Sequence, residues 1–163
     1  MEITSTQALW FLPAVFPIGI YVAWNDMAYM KIPNIAVYAL VVSFAVLGLF
    51  ALPIEEWAFR WLHLVVILVA GIILNAAGSL GAGDAKFAAA AAPYIALGDV
   101  VVALYLFAGC LLVGYVTHRI ARHTPIRRLV PQWESWRTGK RFPMGYPLAA
   151  TLILYLASPF VAA

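Results

Sequence analysis

The chain has 163 residues, 65% of them hydrophobic and 10% charged, with a mean hydropathy of +0.93. A soluble domain is nearer half apolar and a quarter charged, so this composition excludes an ordinary water-soluble globule and points to a multi-span membrane protein. The net charge of +3 is the one hint of nucleic acid, and its distribution along the chain removes that hint.

Six apolar segments follow one another, roughly Ala8–Trp24, Ile35–Leu52, Trp61–Ala77, Ala85–Leu97, Val100–Val116 and Met144–Val161. A helix rising about 1.5 Å per residue needs about 20 residues to cross about 30 Å of hydrocarbon. Most segments come close once their flanks are included. The first is not a cleaved signal peptide, because only Glu2 stands where basic residues should precede it, and five more segments follow. The fourth is short and holds Pro93. Fused to the fifth it would make a helix of about 50 Å, too long without steep tilt, so Gly98–Asp99 reads as a break between two helices. The longest polar stretch, 118–143, is too short for a separate soluble module, and residues 1–163 read as one membrane-embedded domain. The expected fold is all-α and polytopic, with about six transmembrane helices.

Lys and Arg orient it. Residues 118–143 carry Arg119, Arg122, Arg127, Arg128, Arg137, Lys140 and Arg141. With six spans this loop shares a side with the loops holding Lys31 and Lys86. Nine of ten positive residues then lie on one face, which the positive-inside rule makes cytoplasmic. Both termini face outward. Arg60, beside Glu55 and Glu56, is the exception. The basic loop, with Trp133 and Trp136, reads as a topology anchor at the lipid interface rather than a nucleic-acid patch. Cys110 lies in an apolar run, can form no internal disulfide and reads as helix packing.

The acids are Glu2, Asp26, Glu55, Glu56, Asp84, Asp99 and Glu134. Asp26 and Asp84 stand at cytoplasmic ends of spans beside helix-breaking sequence, in "WNDMAYMKIPN" and "SLGAGDAKFA". They lie 58 positions apart and meet only if their helices pack, at one depth and on one side. Either alone reads as a helix cap or a solvated charge. Gly81 and Gly83 shift that balance, since a cap needs neither. They permit positive φ and the close approach of a substrate backbone. Two carboxylates sharing a site hold one proton between them. One can take a proton from water while the other donates to a peptide carbonyl, which is aspartic-protease chemistry and needs no metal or cofactor.

These residues carry a resemblance. "GAGDAK", Gly81 to Lys86, resembles the G-x-G-D motif of membrane aspartyl proteases. "DMAYMKIPN", Asp26 to Asn34, is similar to the other half of the site in type IV prepilin peptidases, where an Asp is followed six residues later by Ile-Pro-Asn. "FPMGYPLA", Phe142 to Ala149, resembles a third family segment, Pro-aromatic-Gly, with Met144 in place of the aromatic. The family implies a bacterial inner-membrane endopeptidase that cuts the short basic leader of prepilin-like proteins. It cuts at the cytoplasmic face, after a glycine and before the hydrophobic segment. By that resemblance Asp26 and Asp84 are the catalytic pair, and Gly81, Gly83, Lys86, Pro33, Asn34, Pro143 and Gly145 shape the site. The implied partners are a prepilin substrate and membrane lipid, with no nucleic acid. Longer members also N-methylate their product and carry a cysteine-rich region. This chain resembles the short class of tight-adherence (Flp-type) pilus systems, so methylation is not expected.

Lys86 stands two residues after Asp84, so on a helix the two side chains diverge. It reads equally as a snorkelling lysine or a charge facing the leader. Lys31 marks topology, and Pro33 and Asn34 start the second helix. Asn75 is expected to hydrogen-bond across helices. His63 reads as interfacial, and His118 and His123 have no partners at metal-ligand spacing. Rival readings use the same acids. A small transporter would relay protons through them, a presenilin-like protease would be much longer, and a non-catalytic pilus or secretion assembly factor would tolerate their loss.

Overall fold

The computed structural model describes residues 1–139 and 141–161; Lys140 of the basic loop lies outside the described residues. All regular structure among them is helical. Six α-helices follow in order: α1 Ser5–Tyr29, α2 Asn34–Ala51, α3 Ile54–Ala76, α4 Ala82–Ala91, α5 Val100–His123 and α6 Gly145–Ala157. Four of these, α1, α2, α3 and α5, are long and apolar enough to cross a membrane; α4 and α6 are shorter. The protein is a multi-pass membrane protein. Leu9, Phe16, Ile20, Ile72, Leu104 and Leu112 stay exposed on the helix surfaces, as lipid-facing side chains do.

Helix α1 starts on a capping box. The Thr4 hydroxyl accepts from Gln7 N–H, and the Gln7 side chain accepts from Thr4 N–H. It stops at Met30, whose φ of 53° is the left-handed turn that aims the next loop back. Pro33 then precedes α2 in extended backbone, and Asn34 opens that helix as expected.

The core is aromatic. Phe11 of α1, Phe44 of α2 and Tyr94 are buried, with centroids 5.0 Å (Phe11–Tyr94), 5.4 Å (Phe44–Tyr94) and 6.0 Å (Phe11–Phe44) apart. The Tyr94 hydroxyl donates to the Leu40 carbonyl at 2.8 Å. This knot fixes α1 and α2 against the chain leaving α4.

The break expected at Gly98–Asp99 is longer than the sequence suggests, running through two 3-10 turns at Ala92–Tyr94 and Leu97–Asp99. Broken backbone is costly in hydrocarbon unless each polar group finds a partner. Arg60 of α3 supplies some of these. It is buried, held by Glu56 at 2.6 Å, and donates to the Pro93 and Tyr94 carbonyls at 3.3 Å. The Ala96 N–H donates to the Tyr155 hydroxyl at 3.1 Å. Asp99 accepts from the Tyr155 hydroxyl at 2.8 Å and from the Glu2 and Ile3 N–H groups. Arg60 is therefore a structural partner of the break as well as the exception to the charge pattern. Asp99, read from the sequence only as a break, ties the N-terminus to α6.

Candidate active site

Asp26 sits in the last turn of α1 and is buried; Asp84 sits in the first turn of α4 and is half-buried. The helices that carry them, α1 and α4, both pack against α6. Burial first, and the Asp26 charge second, push Asp84 up to about 6, although the Gly81 N–H opposes the shift. Side chains 58 positions apart are thus brought into one site by the packing of α1, α4 and α6.

Glycine serves this site through close approach. A Cβ on Gly145, the first residue of α6, would stand 2.9 Å from Asp26 Cβ. Its N–H donates to Asp26 Oδ2 at 2.6 Å, a short charge-assisted bond. A Cβ on Gly81 would stand 2.5 Å from Asp84 Oδ2. Of the two freedoms read for Gly81 and Gly83, close approach is the one used and positive φ is not. Gly81 has φ −66°, Gly83 is helical, and among the described residues positive φ in glycine occurs at Gly78 and Gly139. Gly81 is small so that the Asp84 carboxylate can fold back over it. Gly83 lies against Ile32, joining the Ile-Pro-Asn turn to the G-x-G-D turn.

Lys86 is exposed and donates to Asn34 Oδ1 at 3.4 Å, so it bridges α4 to the start of α2. Asn25 donates to the Lys31 carbonyl at 2.7 Å and steadies the turn after α1. Asn75 does not bond across helices as expected. It donates to the Leu80 carbonyl at 2.7 Å and closes the turn between α3 and α4.

Sequence reasoning missed an aromatic ladder over this end of the bundle. Trp24 of α1 meets Trp133 edge-on at 5.1 Å, and Trp133 stacks on Trp136 at 5.6 Å. Trp136 stacks on His118 of α5 at 5.0 Å, and His118 meets Phe142 at 5.6 Å. Trp136 and His118 are buried, so the tryptophans of the basic loop pack inward rather than only anchoring at lipid. The ladder ends at Phe142, beside the buried Pro143 and three residues before Gly145. The signal was present as Trp133 and Trp136 in a charged loop, three residues apart.

The family model for the type IV leader peptidases matches residues 14–117, from α1 into α5. The chain belongs to that family. No curated protein and no solved structure matches it. The match includes both aspartates and stops before Gly145. Membership makes this a protease-family protein of the membrane, whose relatives as a class process prepilin-like leaders.

Proposed function

We propose that the protein is a prepilin peptidase, an aspartic endopeptidase of the bacterial inner membrane with residues 1–163 as one peptidase domain. It removes the short basic leader of a prepilin-like protein after a glycine and before the hydrophobic segment. Its basic loops and both aspartates face the cytoplasm, and its termini face the periplasm. The observation that supports this reading is the packing of α1 and α4, which carry Asp26 and Asp84, against α6, whose Gly145 N–H holds Asp26 Oδ2 at 2.6 Å.

The two carboxylates have unequal surroundings, which assigns their roles. Asp26 Oδ2, fixed in place by the Gly145 N–H at 2.6 Å, is the base. Asp84, repelled by Asp26, holds the shared proton and is the acid. Water gives a proton to Asp26 as its oxygen attacks the peptide carbon, and Asp84 gives a proton to the carbonyl oxygen. The resulting gem-diol collapses as the C–N bond breaks, Asp26 giving its proton to the leaving nitrogen and one diol hydroxyl returning its proton to Asp84. The ten-residue α4 covers only about 15 Å at helical rise, the two 3-10 turns complete the crossing, and the short helix lets water reach the pair from the cytoplasm.

The test is leader removal from a prepilin of the same organism in detergent. Asp26→Ala and Asp84→Ala should each lose at least about a thousandfold in rate, as expected when either half of an acid–base pair is removed. Full processing by either variant would remove the two-carboxylate mechanism. Proton or solute flux in liposomes without cleavage would favour a transporter.

A further inference from the structure

A second polar feature lies beside the carboxylates. The last turn of α1 and the basic loop enclose a groove of about 480 Å³ lined by Ala28, Tyr29, Gln132, Glu134, Arg137 and Thr138. The Trp24–Trp133 contact holds the loop against α1 here. Tyr29 follows Asp26 by three residues, about 4.5 Å along the helix, and residues so spaced share a helix face. The groove therefore begins one turn beyond Asp26, on the loop side of the site.

Its charges are unusual for their place. Residues 118–143 hold seven Lys and Arg side chains and a single acid, Glu134. Among the described residues the Glu134 carboxylate accepts no side-chain hydrogen bond and joins no ion pair, and the side chain is exposed to the groove. An acid in so basic a loop meets an incoming cation. Arg137 on the same groove repels a second one.

We propose that this groove binds the polar leader of the substrate, and that Glu134 recognises one positively charged leader side chain close to the scissile bond. This deepens the reading of the protein as a leader peptidase and rests on it. An extended peptide advances about 3.3 Å per residue. A chain cut at Asp26 therefore reaches a groove starting about 4.5 Å away within a few residues. Glu134 sets specificity and takes no part in proton transfer. The mixed charge of the groove favours a leader with one cation at that register over a continuous basic run.

The experiment is a charge exchange. A prepilin of the same organism and a version with the leader's Lys or Arg nearest the cleavage point changed to Glu are processed in detergent by wild type, Glu134→Gln and Glu134→Lys. The readout is the ratio of kcat/KM for the two substrates, which cancels any loss of folded enzyme. Wild type should prefer the parent by about tenfold, Glu134→Gln should shrink that ratio several-fold, and Glu134→Lys should bring it to unity or invert it, in line with one partly exposed charge pair. An unchanged ratio in both variants, with cleavage intact, would overturn the inference and leave the peptidase reading standing. Wild-type protein that cleaves neither substrate would overturn both.

Discussion

Gly145→Ala tests the geometry of the site most directly, because it adds one methyl group and no charge. The new Cβ would lie 2.9 Å from Asp26 Cβ and 3.0 Å from Asp26 Oδ2, where ordinary contact begins at 3.4 Å. Asp26 Cβ is anchored to its helix and cannot swing aside, so α1 and α6 must part by half an ångström or more. That stretches the 2.6 Å bond from Gly145 N–H to the carboxylate. A hydrogen bond to a charged group contributes about 1.5–3 kcal/mol, and a misplacement of about 1 Å in a catalytic group costs about a hundredfold. The two routes agree, since a hundredfold is about 2.7 kcal/mol. The expected result is therefore a fall of about a hundredfold in kcat for leader removal. It should be measured as a time course of the cleaved product, with the detergent melting curve as the check on folding. Gly109→Ala on α5 is the control, since a Cβ there meets nothing within 4 Å. A folded Gly145→Ala enzyme within twofold of wild type would refute the claim that this contact sets the position of Asp26.

Asp84→Asn should melt higher than wild type at pH 7.5, and the gap should close by pH 4. The carboxyl is raised from 3.8 to about 6 on folding, so the native state binds the extra proton between those values and loses stability as pH rises through them; thermal melts at both pH values check this. Arg60→Gln should lower stability by about 2 kcal/mol, because the Pro93 and Tyr94 carbonyls and Glu56 lose a charged donor. A melt unchanged from wild type would show the break to be satisfied without Arg60. Asp99→Ala should cost about 3 kcal/mol, since it strands the Glu2 and Ile3 N–H groups and the Tyr155 hydroxyl. Faster proteolysis of the N-terminal residues would accompany it.

The six-helix order, the break near Gly98–Asp99, the start of α2 at Asn34 and the two candidate carboxylates were legible because each has a local signature. Apolar run length, proline position and an acid beside glycines are properties of a few adjacent residues. Long-range partners have no such signature. Nothing near Gly145 in sequence says that its N–H meets Asp26, and nothing near Arg60 says that it reaches Pro93 and Tyr94. Which freedom Gly81 uses is hidden for the same reason, because a glycine needed for tight approach and one needed for positive φ look alike in a sequence. Asn75 was misplaced because a polar side chain near a helix end can close its own turn as readily as bridge to a neighbour.

These hidden contacts divide the short α4 into two ends with opposite demands. At its start the backbone must approach a carboxylate and leave room for water, so the turn is glycine-rich and the acid stands in the first helical turn. At its end the chain abandons the helix, and its polar groups must be answered from other elements, by Arg60, Tyr155 and their partners. Between these ends Ala85, Ala89, Ala90 and Ala91 are buried, and the backbone of Gly71 on α3 lies so near Ala85 that a Cβ there would stand 2.8 Å from the alanine methyl. Small residues let α4 sit deep among longer helices, which is how packing is gained where lipid offers no hydrophobic drive to helix association. A full-length fourth helix could satisfy its own hydrogen bonds without Arg60 or Asp99. The short one requires them, and in exchange it carries Asp84 inward to meet an acid at the end of a different helix.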